Sequence, residues 1–516
     1  MKLIVLHFHF RPGGVRRVIE SALPFIIRAL PEIDRVTLAS GEARDLEWNR
    51  ALKKSLAPVA TEFFTDPSFR YVSEQTDPAK IAPQIRTALA PLLVEKDTLI
   101  WAHNLAIARN LPLARELTRA SATRGIRLIA HHHDWWFDNR WLRWPEMQRT
   151  GFRTLKQIAS ALFPNSPHTK FAAINRADAA MLRKQFPTRV GWLPNPAARP
   201  ALPSQKNIRA ARDWMHAQLG HDAPIWLMPC RILRRKNIAE ALLLTRWLRP
   251  EATLVITGSA SSADEKPYTN RLAQAAANQG WPLHIGLLDD AGADAPPLPH
   301  LLAASECLLL TSIQEGFGLA SLEAAAAARP LLTRRLPNIA PDLHRFGFRF
   351  PHSYREILIA PDAFDWKAEH TRQRTMFSKW KATLPRICRA WAEPPKFLQP
   401  DAAPKPIPFS RLSLTAQLEV LTIPVEKSWE KCARWNPLLR RWKLLAGKDE
   451  LEITRWPAST EPFLGGSAYA QRFAKLAKAK PREVPLADNT LTAQQTFIRT
   501  KLQSAQLFPL LCARNS

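Results

Sequence analysis

Short apolar runs alternate with helical patterns twice along this chain, and that alternation constrains the fold more than any other feature. In the first series LIVLHF (3–8), TLIWAHN (98–104) and RLIAHHHD (127–134) read as buried strands. The segment VRRVIESALPFIIRAL (15–30) follows the first of them. Its apolar residues Val15, Val18, Ile19, Ala22, Leu23, Ile26, Ile27 and Leu30 have helical spacing, with a kink expected at Pro24. Further helical segments are expected around 80–95 and 105–120. The second series holds the strands PIWLMPC (224–230), ATLVITG (252–258), LHIGLL (283–288) and ECLLLTS (306–312). NIAEALLLTRWLR (237–249) is the helix after the first of these. Alternation of this kind predicts α/β domains with parallel sheets covered on both faces.

A chain of 516 residues exceeds one core. The segment LPNPAARPALPSQ (193–205) carries four prolines and reads as an interdomain connection. The expected organisation is an N-terminal domain over 1–200, a second over 201–370, and a basic, mainly helical extension over 371–516. That extension contains the Pro-rich linker EPPKFLQPDAAPKPIPF (393–409), with amphipathic helices after it.

The net charge is +28. Residues 371–516 hold 25 Lys/Arg against 11 Asp/Glu, about half of that excess. Such charge favours nucleotide phosphates, anionic lipid surfaces or nucleic acid without choosing among them. No nucleic-acid recognition motif is present, so no specific nucleic-acid partner is expected. The five cysteines are scattered and form no C-x-x-C pair. They predict reduced thiols and a cytoplasmic setting, without a zinc site. No apolar run is long enough to span a bilayer, and MKLIVLHFHFRPGG reads as a first strand rather than a signal peptide.

Four loops fall just past strand ends, where open parallel sheets bind ligands. In RPGGVRR (11–17), Gly13 and Gly14 allow close backbone approach ahead of a helix N-terminus, which suits a diphosphate; a plain Gly-rich turn is the alternative. In CRILRRKN (230–237), Arg231 and Lys236 are placed to converge on a pyrophosphate and neutralise a leaving group. Arg234 and Arg235 read as solvated. In IQEGFG (313–318) and the helix after it, Glu315 and Glu323 with the backbone of Gly316, Phe317, Gly318 and Leu319 can grip sugar hydroxyls. The fourth loop, HHHDWWFDNRW (131–141), ends a strand with three histidines able to contact a sugar or phosphate or relay a proton. A metal site is the rival reading. Consecutive strand residues alternate faces, so three consecutive histidines are not expected to converge on one ion.

Taken together these loops resemble the retaining GT-B glycosyltransferases of family 4. Glu315 through Leu319 and on to Glu323 resembles the family's E-x7-E element. Arg231 and Lys236 resemble its R-x4-K, and Gly13-Gly14-Val15 its acceptor-domain glycine loop. NRADAAML (175–182) and WLPNP (192–196) look like the segments before its linker, so the resemblance spans roughly residues 1–340. It implies two Rossmann-like domains facing a cleft, and metal-independent transfer from a nucleotide-sugar donor to an unidentified glycan, lipid or small-molecule acceptor. No cofactor is implied. By position, Arg231 and Lys236 would hold the diphosphate, Glu315 and the 316–319 backbone the donor sugar, and Glu323 the ribose. His133 would be the strand-end catalytic histidine, with His132 as the alternative. A late helix over 371–392 would cross back to the first domain. Two departures stand out: Ala328, where the family usually has Gly, and Pro196 in the Gly place of Pro-Asn-Gly. The competing functions are a non-catalytic nucleotide-sugar or glycan binding protein on the same scaffold, and a nucleotide-sugar epimerase. Peripheral attachment of the basic tail to the anionic inner face of a membrane is a further expectation.

Overall fold

Two parallel sheets organise the chain, each in its own compact unit. The computed structural model describes residues 1–43, 45–138, 140–260, 262–292, 294–399, 404–480 and 489–512. Unit 1 gathers Met1–Ala198, Thr383–Trp391 and Ser459–Lys501. Unit 2 gathers Arg199–Ala382, Ala392–Ala458 and Leu502–Ser516.

The unit 1 sheet comprises β1 (Lys2–Leu6), β2 (Arg35–Ser40), β3 (Ala60–Thr65), β4 (Thr98–His103), β5 (Arg127–His132), β6 (Thr169–Ala173) and β7 (Val190–Trp192). Their order is β3-β2-β1-β4-β5-β6-β7 and every pairing is parallel. The unit 2 sheet comprises β8 (Ile225–Ile232), β9 (Thr253–Ala260), β10 (Leu283–Ile285), β11 (Cys307–Leu310), β12 (Leu331–Arg334) and β13 (Ser353–Tyr354). Its order is β10-β9-β8-β11-β12-β13, again parallel. Strand order reverses beside β1 and β4 in unit 1 and beside β8 and β11 in unit 2. The crevice outside the strand ends at such a reversal is where doubly wound sheets take ligands.

β1 is buried at all five positions and β4 at all six, as helices on both faces require. The helix Gly14–Ala29 lays Val18, Ile19, Ala22, Leu23 and Ile26 against this sheet and continues through Pro24. Within these two sheets six strands escape the apolar-run reading: β2, β3, β6, β7, β12 and β13. They are short or carry polar residues, as in RVTLAS and ATEFFT. β8 runs two residues further than expected, to Ile232, with register shifts around Arg231. β10 stops at Ile285 rather than at 288, where Gly286 turns with φ 83° and donates its N–H to the Ile256 carbonyl at 3.0 Å. The helix expected at 105–120 starts later, at Leu111. Asn110 caps it, its side chain accepting from the Leu113 N–H at 2.9 Å.

The helical extension beyond residue 370 contributes side chains to the core of each unit. Helices Leu414–Thr422, Val425–Ala433 and Pro437–Gly447 bury Val420, Leu421, Cys432, Leu439 and Trp442 in the unit 2 core. Helix Gly466–Lys478 packs Tyr469, Ala470 and Phe473 into the unit 1 core that also holds Val18, Ile19 and Trp101. Helix Asn489–Lys501 is tied to unit 1 by a Gln494 amide donating to the Leu155 carbonyl at 2.8 Å. At its end the Lys501 ammonium lies 2.6 Å from Asp138. Residues 400–403 of the Pro-rich linker and Asn139 of the histidine loop lie outside the described residues. Among the described residues no helix is long and apolar enough to cross a membrane, and Cys230, Cys307, Cys388, Cys432 and Cys512 are free thiols.

Candidate functional site

In unit 2 the site residues follow β8 and β11, the strands flanking the reversal. Leu233 leaves β8 extended, Arg234–Lys236 makes one tight helical turn, and Asn237 takes a left-handed φ of 52° before helix Ile238–Leu248. Thr311 pins this loop by donating to the carbonyls of Lys236 and Asn237 at 2.9 and 3.1 Å. The Ile313 N–H donates to the Arg235 carbonyl at 2.8 Å, locking the loop after β8 to the loop after β11.

That lock sets Glu315 between two cations. The Lys236 ammonium donates to its Oε1 at 2.6 Å and the Arg235 guanidinium to its Oε2 at 2.8 Å. Burial alone would push this carboxyl up, but Arg235 and Lys236 outweigh it and hold it at about 2. The Asn338 amide fixes the backbone by donating to the Glu315 carbonyl at 2.7 Å. Gly318, at φ 88°, stands at the cap of helix Leu319–Ala326. A Cβ there would lie 2.9 Å from the end of the Ile339 side chain, which can shift, so it is the left-handed φ that favours glycine at this turn. Phe317 is buried, its ring 6.3 Å from that of Phe346. Glu323 is half-buried on the following helix.

Arg235 is therefore a correction to the sequence reading. It does not stand solvated but shares Glu315 with Lys236. Arg234 is also engaged, its N–H donating to Glu265 at 2.9 Å. Arg231 stands on β8 itself rather than in the loop and is exposed, its side chain against Gly258.

In unit 1 the histidines converge through a register that single runs do not reveal. β4 pairs with β5 so that His103 faces His131. His131 and His133 share one face two residues apart, with ring centroids 4.4 Å apart. His103 Nδ1 and His133 Nε2 are 3.1 Å apart, and His7 Nδ1 lies 3.2 Å from the His103 carbonyl. His103, His131 and His133 thus each bring a ring nitrogen within 4.8 Å of the others. The three consecutive histidines do not converge, as expected from strand alternation; the third member of the cluster is His103, which the sequence reading did not single out and which the neighbouring strand supplies. His132 does point away, its ring 4.7 Å from Trp135 and 6.1 Å from Phe171. Trp101 Nε1–H donates to His131 Nδ1 at 3.3 Å, which puts the proton of a neutral His131 ring on Nε2. His131 Nε2 is buried and has no hydrogen-bond partner among the described residues. Burial drives all these imidazoles toward the neutral form: His7 and His132 to about 3, His133 to about 4, and His103 and His131 well below the usual value.

The glycine loop shows open space above it. A Cβ on Gly14 would meet nothing within 4 Å, and on Gly13 only the Arg11 carbonyl at 3.9 Å. Beside it, a cavity of about 200 Å³ is lined by Phe10, Arg11, Arg16, Trp48 and Phe63. Arg11 and Arg16 are clamped there by Glu42 and Asp45 at 2.6 and 2.7 Å.

Two Rossmann-like parallel-sheet domains with a helical C-terminal extension define the GT-B class of fold. Residues 213–346, within unit 2, match the family model described as glycosyl transferases group 1. The chain is 23% identical over 354 residues to mannosylglucosyl-3-phosphoglycerate synthase of Petrotoga mobilis, covering 65% of this chain and 65% of that protein. In fold it resembles sucrose-phosphate synthase from Thermosynechococcus elongatus, with a TM-score of 0.50 at 13% identity over 92% of this chain and 98% of that one. It also resembles the N-terminal domain of trehalose-6-phosphate phosphatase from Candida albicans, with a TM-score of 0.50 at 10% identity over 92% and 96%.

Proposed function

We propose that the protein is a retaining glycosyltransferase of family 4 that moves a sugar from a nucleoside-diphosphate sugar to an acceptor without a metal ion. The observation that carries this reading is Glu315, held between Arg235 and Lys236 beside a Gly318-capped helix start, inside the segment that matches glycosyl transferases group 1. In this reading Arg231, Lys236 and the free N–H groups of the helix at Leu319 stabilise charge growing on the departing diphosphate. Glu315 and the Gly316–Leu319 backbone orient the donor sugar, and Glu323 takes the ribose hydroxyls.

No carboxylate is assigned as a covalent nucleophile. The bond from the anomeric carbon to the diphosphate oxygen breaks as the acceptor oxygen bonds on the same face, and the departing phosphate accepts the acceptor's proton. Unit 1 receives the acceptor, with neutral His133 as its strand-end hydrogen-bonding group. A setting in the cytoplasm, with the basic tail touching an anionic membrane, belongs to the same proposal. So do Gly13 and Gly14 as the loop that lets a ligand approach the helix Gly14–Ala29.

The test is a melting-temperature shift across a panel of nucleotides and nucleotide sugars, on the wild type and Lys236→Ala. A ligand at ~100 times its dissociation constant stabilises the fold by about 2.7 kcal/mol. One nucleoside diphosphate should raise the wild-type midpoint and leave the variant unmoved. An equal shift in both proteins would remove Lys236 from the donor site, and flat melts across the panel would favour a binding protein of another ligand class.

A further inference from the structure

Arginines gather in unit 1 where the loops after β4 and β5 meet. Arg109 follows Ala108, whose φ of 57° is left-handed, and its carbonyl accepts the Val72 N–H at 2.8 Å. Its guanidinium stacks over the Tyr71 ring at 4.6 Å, and the Tyr71 hydroxyl lies 3.2 Å from His9 Nε2. Arg140 donates to the Trp135 carbonyl at 3.0 Å and stands 3.6 Å from Asp134, the residue after His133. Arg143 lies at the start of helix Trp144–Arg149.

The carboxylates at hand pair with these cations by charge, but Glu146 hydrogen-bonds neither Arg109 nor Arg143. Glu146 Oε2 is 3.8 Å from both Arg109 Nη1 and Arg143 Nη1, too far for a hydrogen bond to either. Arg143 Nη1 and Arg109 Nε are buried with no hydrogen-bond partner among the described residues. A buried guanidinium nitrogen without an acceptor is costly and calls for one from outside the chain. Burial first, and then the neighbouring charges of Arg109 and Arg140, bring Arg143 down to about 9. Three guanidinium forks face two carboxylates, Asp134 and Glu146, so the cluster keeps a positive excess. It lies beside the sheet's order reversal and next to His133.

We propose that Arg109, Arg140 and Arg143 form an oxyanion subsite that takes the phosphate or carboxylate group of an anionic acceptor. Planar guanidinium groups bind such groups through paired, charge-assisted hydrogen bonds. Tyr71 supplies a platform that orients Arg109, and Asp134 couples the subsite to His133 through Arg140. That the ligand is an acceptor rests on the glycosyl-transfer reading; the oxyanion chemistry of the subsite does not.

The experiment is phenylglyoxal labelling of the full chain, read peptide by peptide by mass spectrometry. The probes are glucose 6-phosphate, glucuronate, glucose and phosphatidylglycerol vesicles. Labelling of Arg109 and Arg143 should slow about tenfold when glucose 6-phosphate or glucuronate is present at ten times its half-protecting concentration, by mass action. Glucose should leave the rate unchanged. Protection by the vesicles alone assigns the oxyanion to a lipid headgroup. Arg143→Gln should abolish the protection of Arg109. If that variant loses its circular-dichroism signature, Arg140→Gln serves in its place. Equal rates with all four probes overturn the subsite. The same digest reads Arg231 and Arg235 with nucleoside diphosphates added. Protection there without protection in unit 1 sinks the subsite alone. Protection in unit 1 without protection there sinks the donor reading and leaves the subsite standing.

Discussion

Replacing Glu315 with Gln tests whether the ion pairs after β11 carry the energy their geometry implies. The side chains of Glu315 and Lys236 are only 13% and 12% exposed, so solvent screening removes little of the interaction. The Glu315 carboxyl falls from an ordinary 4.5 to about 2, and at 1.36 kcal/mol per pH unit this corresponds to about 3 kcal/mol. The folded value lies below the unfolded one. The stabilisation is therefore complete above about pH 4.5 and is lost as the pH falls through about 2. Gln keeps the shape of the protonated acid without its charge. Urea unfolding at pH 7 should show the variant weaker by about 3 kcal/mol, and at pH 3 the gap should shrink to about 1 kcal/mol. Hydrogen exchange of peptides from β8 and helix Ile238–Leu248 assigns the transition to unit 2. The same penalty at both pH values would mean that packing, not charge, is lost. No penalty at pH 7 would mean that Lys236 and Arg235 do not hold Glu315 in solution.

Two further outcomes follow from the described geometry. His7, His103, His131, His132 and His133 are neutral in the folded protein and protonate freely near 6.5 once unfolded, so unit 1 loses stability as the pH drops below 6.5 toward about 4. Each group contributes about 1.4 kcal/mol per pH unit across that window. Hydrogen exchange of β4 and β5 peptides should accelerate steeply between pH 6 and 5, while a flat profile would mean these rings are solvated. Ala328 holds a left-handed φ of 50°, a conformation that costs a residue with a Cβ roughly 1–2 kcal/mol. Ala328→Gly should therefore raise stability by about 1 kcal/mol in urea unfolding, and a destabilised variant would show that the turn is not strained.

The parallel-sheet architecture was legible because β1, β4, β5, β8, β9 and β11 are fed by apolar runs that only double-sided burial explains. β2, β3 and β6 were not, since RVTLAS, ATEFFT and TKFAA mix polar residues into strands and resemble loops when read alone. Lys236, Glu315 and Gly318 could be placed because each lies within a few residues of a strand end or helix start. Arg235 was misjudged because a run of adjacent cations gives no sign of which one turns inward; the backbone bond from Ile313 to Arg235 decides that. His103 was missed for a related reason. Its partners lie 28 and 30 residues away, and only the β4–β5 register brings them together. Arg109 and Arg143 share that difficulty, being ordinary charges until two loops meet. The departure at Ala328 was visible in sequence, but the backbone conformation that gives it a cost was not.

The same geometry constrains how a donor would be received. Lys236 already spends its shortest contact on Glu315, and Arg235 holds the other carboxylate oxygen. On the proposed reading an arriving diphosphate competes with Glu315 for Lys236, and each contact that Lys236 shifts to phosphate frees a carboxylate oxygen for a sugar hydroxyl. The diphosphate would then prepare the grip on the sugar, with Arg235 keeping Glu315 ionised throughout. Exchange of one ion pair for another costs less than opening a buried charge to nothing, because neither partner is left without a counter-charge. Arg235→Gln separates this order from its reverse. It leaves Lys236 to the diphosphate but removes the cation that holds Glu315 in place, so affinity for a nucleoside diphosphate should survive while the added affinity of the attached sugar is lost. Loss of both together would show that Arg235 contacts the phosphates directly, and retention of both would show that Glu315 needs no second cation.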